Sequence, residues 1–229
     1  MNLKLVDKRR EVSGVYSFVF KNDEPFKWRA GQFLMYFLDH ANADERGRRR
    51  YFTIASAPFE NVIILTTRFI NEGGSSFKKA LLDMPLDSTI YAEGPRGSFV
   101  VDDSDQSYVF IAGGIGITPF RSILLELDHK KLPINVILLY ASGTRDFVYK
   151  KELEQLAKKH PSLKIQYIIF PDRIDESAIK KNVGDLQKPF CYISGPKPMV
   201  QEFENLLPKM GMPQEHLKRD YFPGYDRYI

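Results

Sequence analysis

The chain has 229 residues, 43% of them hydrophobic and 27% charged, and 33 Lys and Arg against 29 Asp and Glu leave a formal net charge of +4. That balance supports an ordinary buried core, in one large or two small domains, and excludes disorder. The single cysteine, Cys191, excludes an internal disulfide and any thiolate-held iron–sulfur or zinc centre built by this chain alone, and the four scattered histidines have no metal-like spacing, so no metal is expected.

At the N-terminus, MNLKLVDKRREV carries charge without a following apolar segment or a small-residue cleavage site, which argues against a signal or transit peptide. The longest apolar runs, such as Val136 to Tyr140, are strand-sized rather than membrane-spanning. A cytoplasmic location away from membranes is the expectation. Short β-rich stretches then alternate with turn residues: Val15 to Phe20, Gly31 to Leu38, Tyr51 to Ala55, Val62 to Phe69 and Thr89 to Glu93. Their spacing predicts a small antiparallel barrel or sandwich. Ser75 and Ser76 precede FKKALLDM, whose Phe77, Leu81 and Met84 suit a short serine-capped helix.

From Ser107 the pattern changes. YVFIAG, INVILLYAS, LKIQYIIF and FCYISG read as strands, with helices from about Pro119 to Leu127, over DFVYKKELEQLAKKH, and from about Pro198. This alternation predicts a parallel, doubly wound α/β sheet. The acidic stretch Asp102 to Ser107 marks the boundary, giving domains of residues 1–102 and 103–229.

Three segments carry chemistry. In RRRYFTIASAP, strand alternation puts Tyr51 and Thr53 on one side and Arg50 and Phe52 on the other. The segment offers a flavin a cation for its phosphates, an apolar surface for its ring and a hydroxyl near N5, although a strand with core aromatics has the same composition. In VFIAGGIGITPF a buried strand runs into Gly113, Gly114 and Gly116, and Thr118 and Pro119 then open a helix. Glycines admit a pyrophosphate to the backbone and a helix N-terminus favours its charge, yet the same residues also make an ordinary tight turn. YISGPKPMV repeats the arrangement with Gly195 and Pro196 at the carboxyl edge of the predicted sheet, where ligands of such sheets bind.

In order, RYFT, GGSSFKKAL, GPRGSF, AGGIGITP, YISGPKPM and DYFPGY resemble the motifs of the ferredoxin-NADP(+) reductase superfamily over nearly the whole chain. The resemblance implies a two-domain flavoprotein reductase. It would move hydride between NAD(P)H and N5 of FAD and pass electrons to a separate acceptor, such as ferredoxin or flavodoxin. By position, Arg50 matches the arginine on the flavin phosphate and Thr53 the hydroxyl at N5, while Phe52 stands where a tyrosine is usual, beside Tyr51. Gly73, Gly74, Ser75 and Ser76 match the segment that holds the FAD pyrophosphate, and Thr67 and Arg68 join the cofactor-binding residues.

Gly113, Gly114, Gly116, Thr118 and Pro119, with Gly195, Pro196 and Met199, match the nicotinamide-nucleotide segments, and Ser194 replaces a common cysteine near the nicotinamide. The aromatic tail nominates Tyr221, Phe222 and Tyr225 near the flavin, and Thr53, Ser194 and Phe222 are the candidate catalytic residues. Ser142 and Arg145 suit a 2'-phosphate and lean the reading slightly toward NADPH over NADH. Two other readings stay open: a free-standing flavin or ferric-chelate reductase, and a non-catalytic flavin-binding regulatory module. A nucleic-acid partner is not expected, since the basic run Arg46 to Arg50 has neither a stacking platform nor a recognition helix beside it.

Overall fold

The computed structural model describes residues 1–22, 24–70 and 74–222, with Phe222 described by its backbone alone. Its first half is an antiparallel sheet of β1 (Asn2–Val12), β2 (Val15–Asn22), β3 (Phe33–Phe37), β4 (Arg49–Thr53), β5 (Ile63–Arg68) and β6 (Thr89–Arg96). The strands lie in the order β4-β3-β6-β1-β2-β5. A hydrogen bond of 2.8 Å from the Ala55 amide to the Ile64 carbonyl joins the chain just past β4 to β5, curling the sheet toward a barrel. The charged N-terminal segment turns out to be the longest of these strands. Leu3 and Leu5 are wholly buried while Lys4 between them is exposed, the period-two pattern of a half-buried strand. Helix α1 (Ser76–Asp83) buries Phe77 and Leu81, one turn apart, in the same core.

The second half is a parallel sheet in the order β11-β10-β7-β8-β9. Its strands are β7 (Tyr108–Gly113), β8 (Val136–Ser142), β9 (Lys164–Ile169), β10 (Phe190–Pro196) and β11 (Leu217–Phe222). The helices are α2 (Ile117–His129), α3 (Lys150–Lys159), α4 (Glu176–Asn182) and α5 (Lys197–Lys209). Central β7 is buried on both faces. Tyr108, Phe110 and Ala112 pack in one core with α2 and α3, and Val109 and Ile111 pack in the other with α4 and α5. Helix α3 starts later than DFVYKKELEQLAKKH suggests: Phe147 and Val148 are drawn into the core and Tyr149 turns to φ 62° before the helix begins. Strand order reverses between β7 and β10, which opens a crevice at their carboxyl ends. No described helix is long and apolar enough to cross a membrane.

The two halves are joined through Arg121 of α2, only 7% exposed. Its guanidinium bonds the Ala55 carbonyl at 2.8 Å and pairs with Glu60 at 2.9 Å and Glu152 at 2.7 Å. Beside it, Ser122 donates to the Ser56 carbonyl at 2.6 Å, and Tyr149 shares a 2.5 Å hydrogen bond with Thr66 of β5. These contacts hold the carboxyl edge of the parallel sheet against the end of β4.

Candidate functional site

At the barrel end of the site, β4 presents the side chains its alternation requires. Arg50 and Phe52 turn inward: the Arg50 side chain is 10% exposed, and the Phe52 ring packs on Tyr36 and Phe77 with centroids 5.9 Å away. Tyr51 faces out on the other side, 53% exposed and edge-on to Phe33, whereas Thr53 at the strand's end is 4% exposed. The Arg50 guanidinium lies beside the first turn of α1, with Nη2 3.4 Å from the N-cap Ser75 hydroxyl. It also donates to the Arg46, Gly47 and Arg49 carbonyls, yet its buried Nε has no hydrogen-bond partner among the described residues. Gly74 precedes that turn, and Gly73 lies outside the described residues.

On the sheet side, a cleft of about 360 Å³ opens at the carboxyl ends of β7, β8 and β10, within the size range of small-ligand sites. Gly113, Gly114, Ser142, Pro196 and Met199 line it, and so does Arg68 from the barrel. The glycines are needed for close approach. A Cβ on Gly113 would stand 2.5 Å from the Met199 sulfur, and one on Gly116 would collide with the Ser194 carbonyl. Thr118 spends its hydroxyl on the Ile115 carbonyl at 3.1 Å, steadying the start of α2, and Pro119 is buried in its first turn. Thr67 is buried on β5 beside Arg68. Arg145 is exposed on its loop; the outer cleft is lined instead by Phe170, Asp172 and Arg173 beyond β9, and by Glu202 of α5.

Between these halves a third group appears that the sequence reading passed over. Asp220 of β11 lies opposite Ser194 in the parallel ladder, and its carboxyl accepts a hydrogen bond from Thr53. Burial pushes that carboxyl up to about 6 against the opposing effect of the Thr53 bond. Ser194 is wholly buried, and its hydroxyl has no hydrogen-bond partner among the described residues. Thr53, Ser194 and Asp220 therefore bring two hydroxyls and a readily protonated carboxyl to the meeting line of the two sheets. Tyr221 pairs with Gly195 and is 48% exposed, the Phe222 backbone pairs with Pro196, and Tyr225 lies outside the described residues.

A family model described as an oxidoreductase NAD-binding domain matches residues 110–205. The chain is similar to the ferredoxin reductase component of 3-ketosteroid-9-alpha-monooxygenase from Mycolicibacterium smegmatis, 25% identical over 239 residues, covering 99% of this chain and 66% of the relative. It is also similar to the reductase component of phenol 2-monooxygenase from a Pseudomonas species, 26% identical, covering 86% of this chain and 57% of that one. Among solved structures, ferredoxin-NADP+ reductase from Plasmodium falciparum shares the fold with a TM-score of 0.80 at 19% identity, covering 96% of this chain and 95% of that chain. Residues 110–205 thus carry an oxidoreductase NAD-binding domain, and the chain as a whole has the fold of ferredoxin-NADP+ reductase.

The chain spans 66% and 57% of the length of those two relatives. The residues present fit FAD and a nicotinamide nucleotide. Arg50, with its unpartnered Nε, and the first turn of α1 after Ser75 make an anion cradle, and Phe52 supplies an apolar wall beside it. The cleft with its close glycine turns and the orphaned Ser194 hydroxyl fit a nucleotide entering at the strand ends.

Proposed function

We propose that this chain is an NAD(P)H-dependent flavoprotein reductase, with a flavin domain of residues 1–102 and a nucleotide domain of residues 103–229, which passes electrons to a separate protein or small-molecule acceptor. The observation that carries the reading is the convergence of Thr53, Ser194 and Asp220 where the barrel meets the nucleotide cleft. FAD, when bound, supplies the hydride-accepting N5 and the ability to release electrons singly or in pairs.

The residues of the chain supply position and polarity. Arg50 and the first turn of α1, with Ser75, Ser76, Gly73 and Gly74, hold the flavin phosphates, and Phe52 takes the usual tyrosine's packing role without its hydroxyl. The Thr53 hydroxyl would face N5, and Thr67 would join the cofactor-binding set. Gly113, Gly114, Gly116, Gly195 and Pro196 shape the nucleotide turn, with Arg68 positioned for its phosphates and Ser194 for the nicotinamide. Asp220 holds or takes a proton through Thr53 Oγ1.

Asp172 and Glu202 in the cleft lining offer acceptors to ribose hydroxyls, which supports NADH as the coenzyme. The reductase names of the Mycolicibacterium and Pseudomonas relatives support an oxygenase-type acceptor for the electrons. Anaerobic stopped-flow mixing of the FAD-loaded protein with NADH and, separately, NADPH tests both points. Rapid flavin bleaching, faster with NADH, is expected. Failure of both nucleotides to bleach the flavin would make the protein a non-catalytic flavin module, and faster bleaching by NADPH would reverse the coenzyme assignment alone.

A further inference from the structure

The flavin-phosphate cradle is already engaged by an anion that belongs to the chain. Asp44, in the loop between β3 and β4, places Oδ1 2.5 Å from Arg50 Nη2 and accepts the backbone N–H of Ser76, the first residue of α1, at 3.0 Å on Oδ2. Its own amide donates to the Ser76 hydroxyl at 2.9 Å, which is also hydrogen-bonded to the His40 ring at 2.9 Å. Arg46 adds a cation at 3.7 Å. A carboxylate thus meets the arginine and helix amide that a phosphate would meet, in the position where the α1 dipole favours negative charge.

We infer that the Asp44 carboxylate is a tethered stand-in for a flavin phosphate: it fills the cradle of Arg50 and the first turn of α1 and must leave before FAD binds there. This rests on the flavin reading of the site and adds that the β3–β4 loop sets how tightly the flavin is held. The cradle has capacity that one carboxylate does not use. Arg50 Nε is buried and unpartnered among the described residues, although the side chain is nine-tenths buried. A diphosphate brings more acceptor oxygens and more charge than Asp44, so it can satisfy this donor as well as those Asp44 now engages.

The loop can also yield. Asp44 retains 26% exposure of its side chain, and Gly47 sits at φ 66° with nothing within 4 Å of where a Cβ would be. The pair cannot be dissolved by mild acid. Burial alone would raise the Asp44 carboxyl, but hydrogen bonds from Arg50 and Ser76 hold it down to about 2, so it stays an anion wherever the enzyme is folded and working. Release therefore comes by exchange with another anion rather than by protonation.

The test compares the flavin-stripped full chain with its Asp44→Asn and Asp44→Ser variants, each checked for folding by circular dichroism. Isothermal titration measures binding of FAD, riboflavin and inorganic pyrophosphate. Expected are an FAD affinity about tenfold or more tighter in both variants, unchanged riboflavin affinity, and pyrophosphate binding gained or strengthened in the variants. Unchanged or weaker FAD binding in both variants would overturn the inference and make Asp44 a brace for Arg50. If neither the parent nor a variant binds FAD, the flavin reading itself falls; stronger pyrophosphate binding in the variants would then still support Asp44 as a tethered competitor, and its absence would overturn that too.

Discussion

Replacing Asp220 by Asn gives a test with a worked sign. The carboxyl moves from 3.8 in an ordinary setting to about 6 here, so its neutral form is the one the folded protein prefers. Two units correspond to roughly 3 kcal/mol, an upper figure because water relaxes such sites. For a raised carboxyl, the stabilisation is complete below the unfolded value near 4 and is lost as pH rises through the folded value near 6. Above about pH 7 the wild-type protein therefore carries the cost of a poorly solvated carboxylate, while the Asn variant does not. Urea unfolding of both proteins at pH 5 and pH 8 should show the variant gaining by about 2–3 kcal/mol relative to wild type at the higher pH and roughly half as much at the lower.

The same carboxyl lies behind Thr53, so anaerobic flavin reduction and its reoxidation by an artificial acceptor should show an ionisation near pH 6 in the wild type that disappears in Asp220→Asn. A stability difference independent of pH, together with an unaltered rate profile, would refute both the desolvation of Asp220 and its part in proton handling.

Two other substitutions separate function from folding. Ser194→Ala removes a buried hydroxyl that has no partner among the described residues, so it should leave stability within about 1 kcal/mol of wild type or raise it. Flavin reduction by NADH in stopped flow should still slow by roughly fivefold, the value of one lost hydrogen bond to the reacting pair. Arg121→Met does the reverse: it strands Glu60 and Glu152 at the junction of the two sheets and should cost about 3–5 kcal/mol in urea unfolding. Burial already raises Glu152 with its arginine in place, so part of that loss should return as pH is lowered from 8 to 5 and the stranded carboxylates take up protons.

The parallel sheet was legible because β7 is buried on both faces and so reads as an unbroken apolar run, YVFIAG, ending in glycines. β1 was not, because its period-two signal rests on Leu3 and Leu5 among Lys4, Asp7, Lys8, Arg9 and Arg10. Arg50, Phe52 and Thr53 could be assigned to faces from alternation along one strand. Asp220 could not be paired with them, since its relation to Ser194 arises from a parallel register between residues 26 positions apart, and its relation to Thr53 from the packing of one sheet on another.

Asp44 escaped for the same reason: Ser76, its amide partner, lies 32 residues on. The glycines show where such a reading stops even when it finds the right residues. Gly113 and Gly116 read as room for a pyrophosphate, but their missing side chains are first required by Met199 and by the Ser194 carbonyl. A glycine turn in a sequence reports that something comes close to the backbone; at these two positions that neighbour is the end of β10 and the helix that follows it, and the nucleotide cleft is the space their contact leaves open.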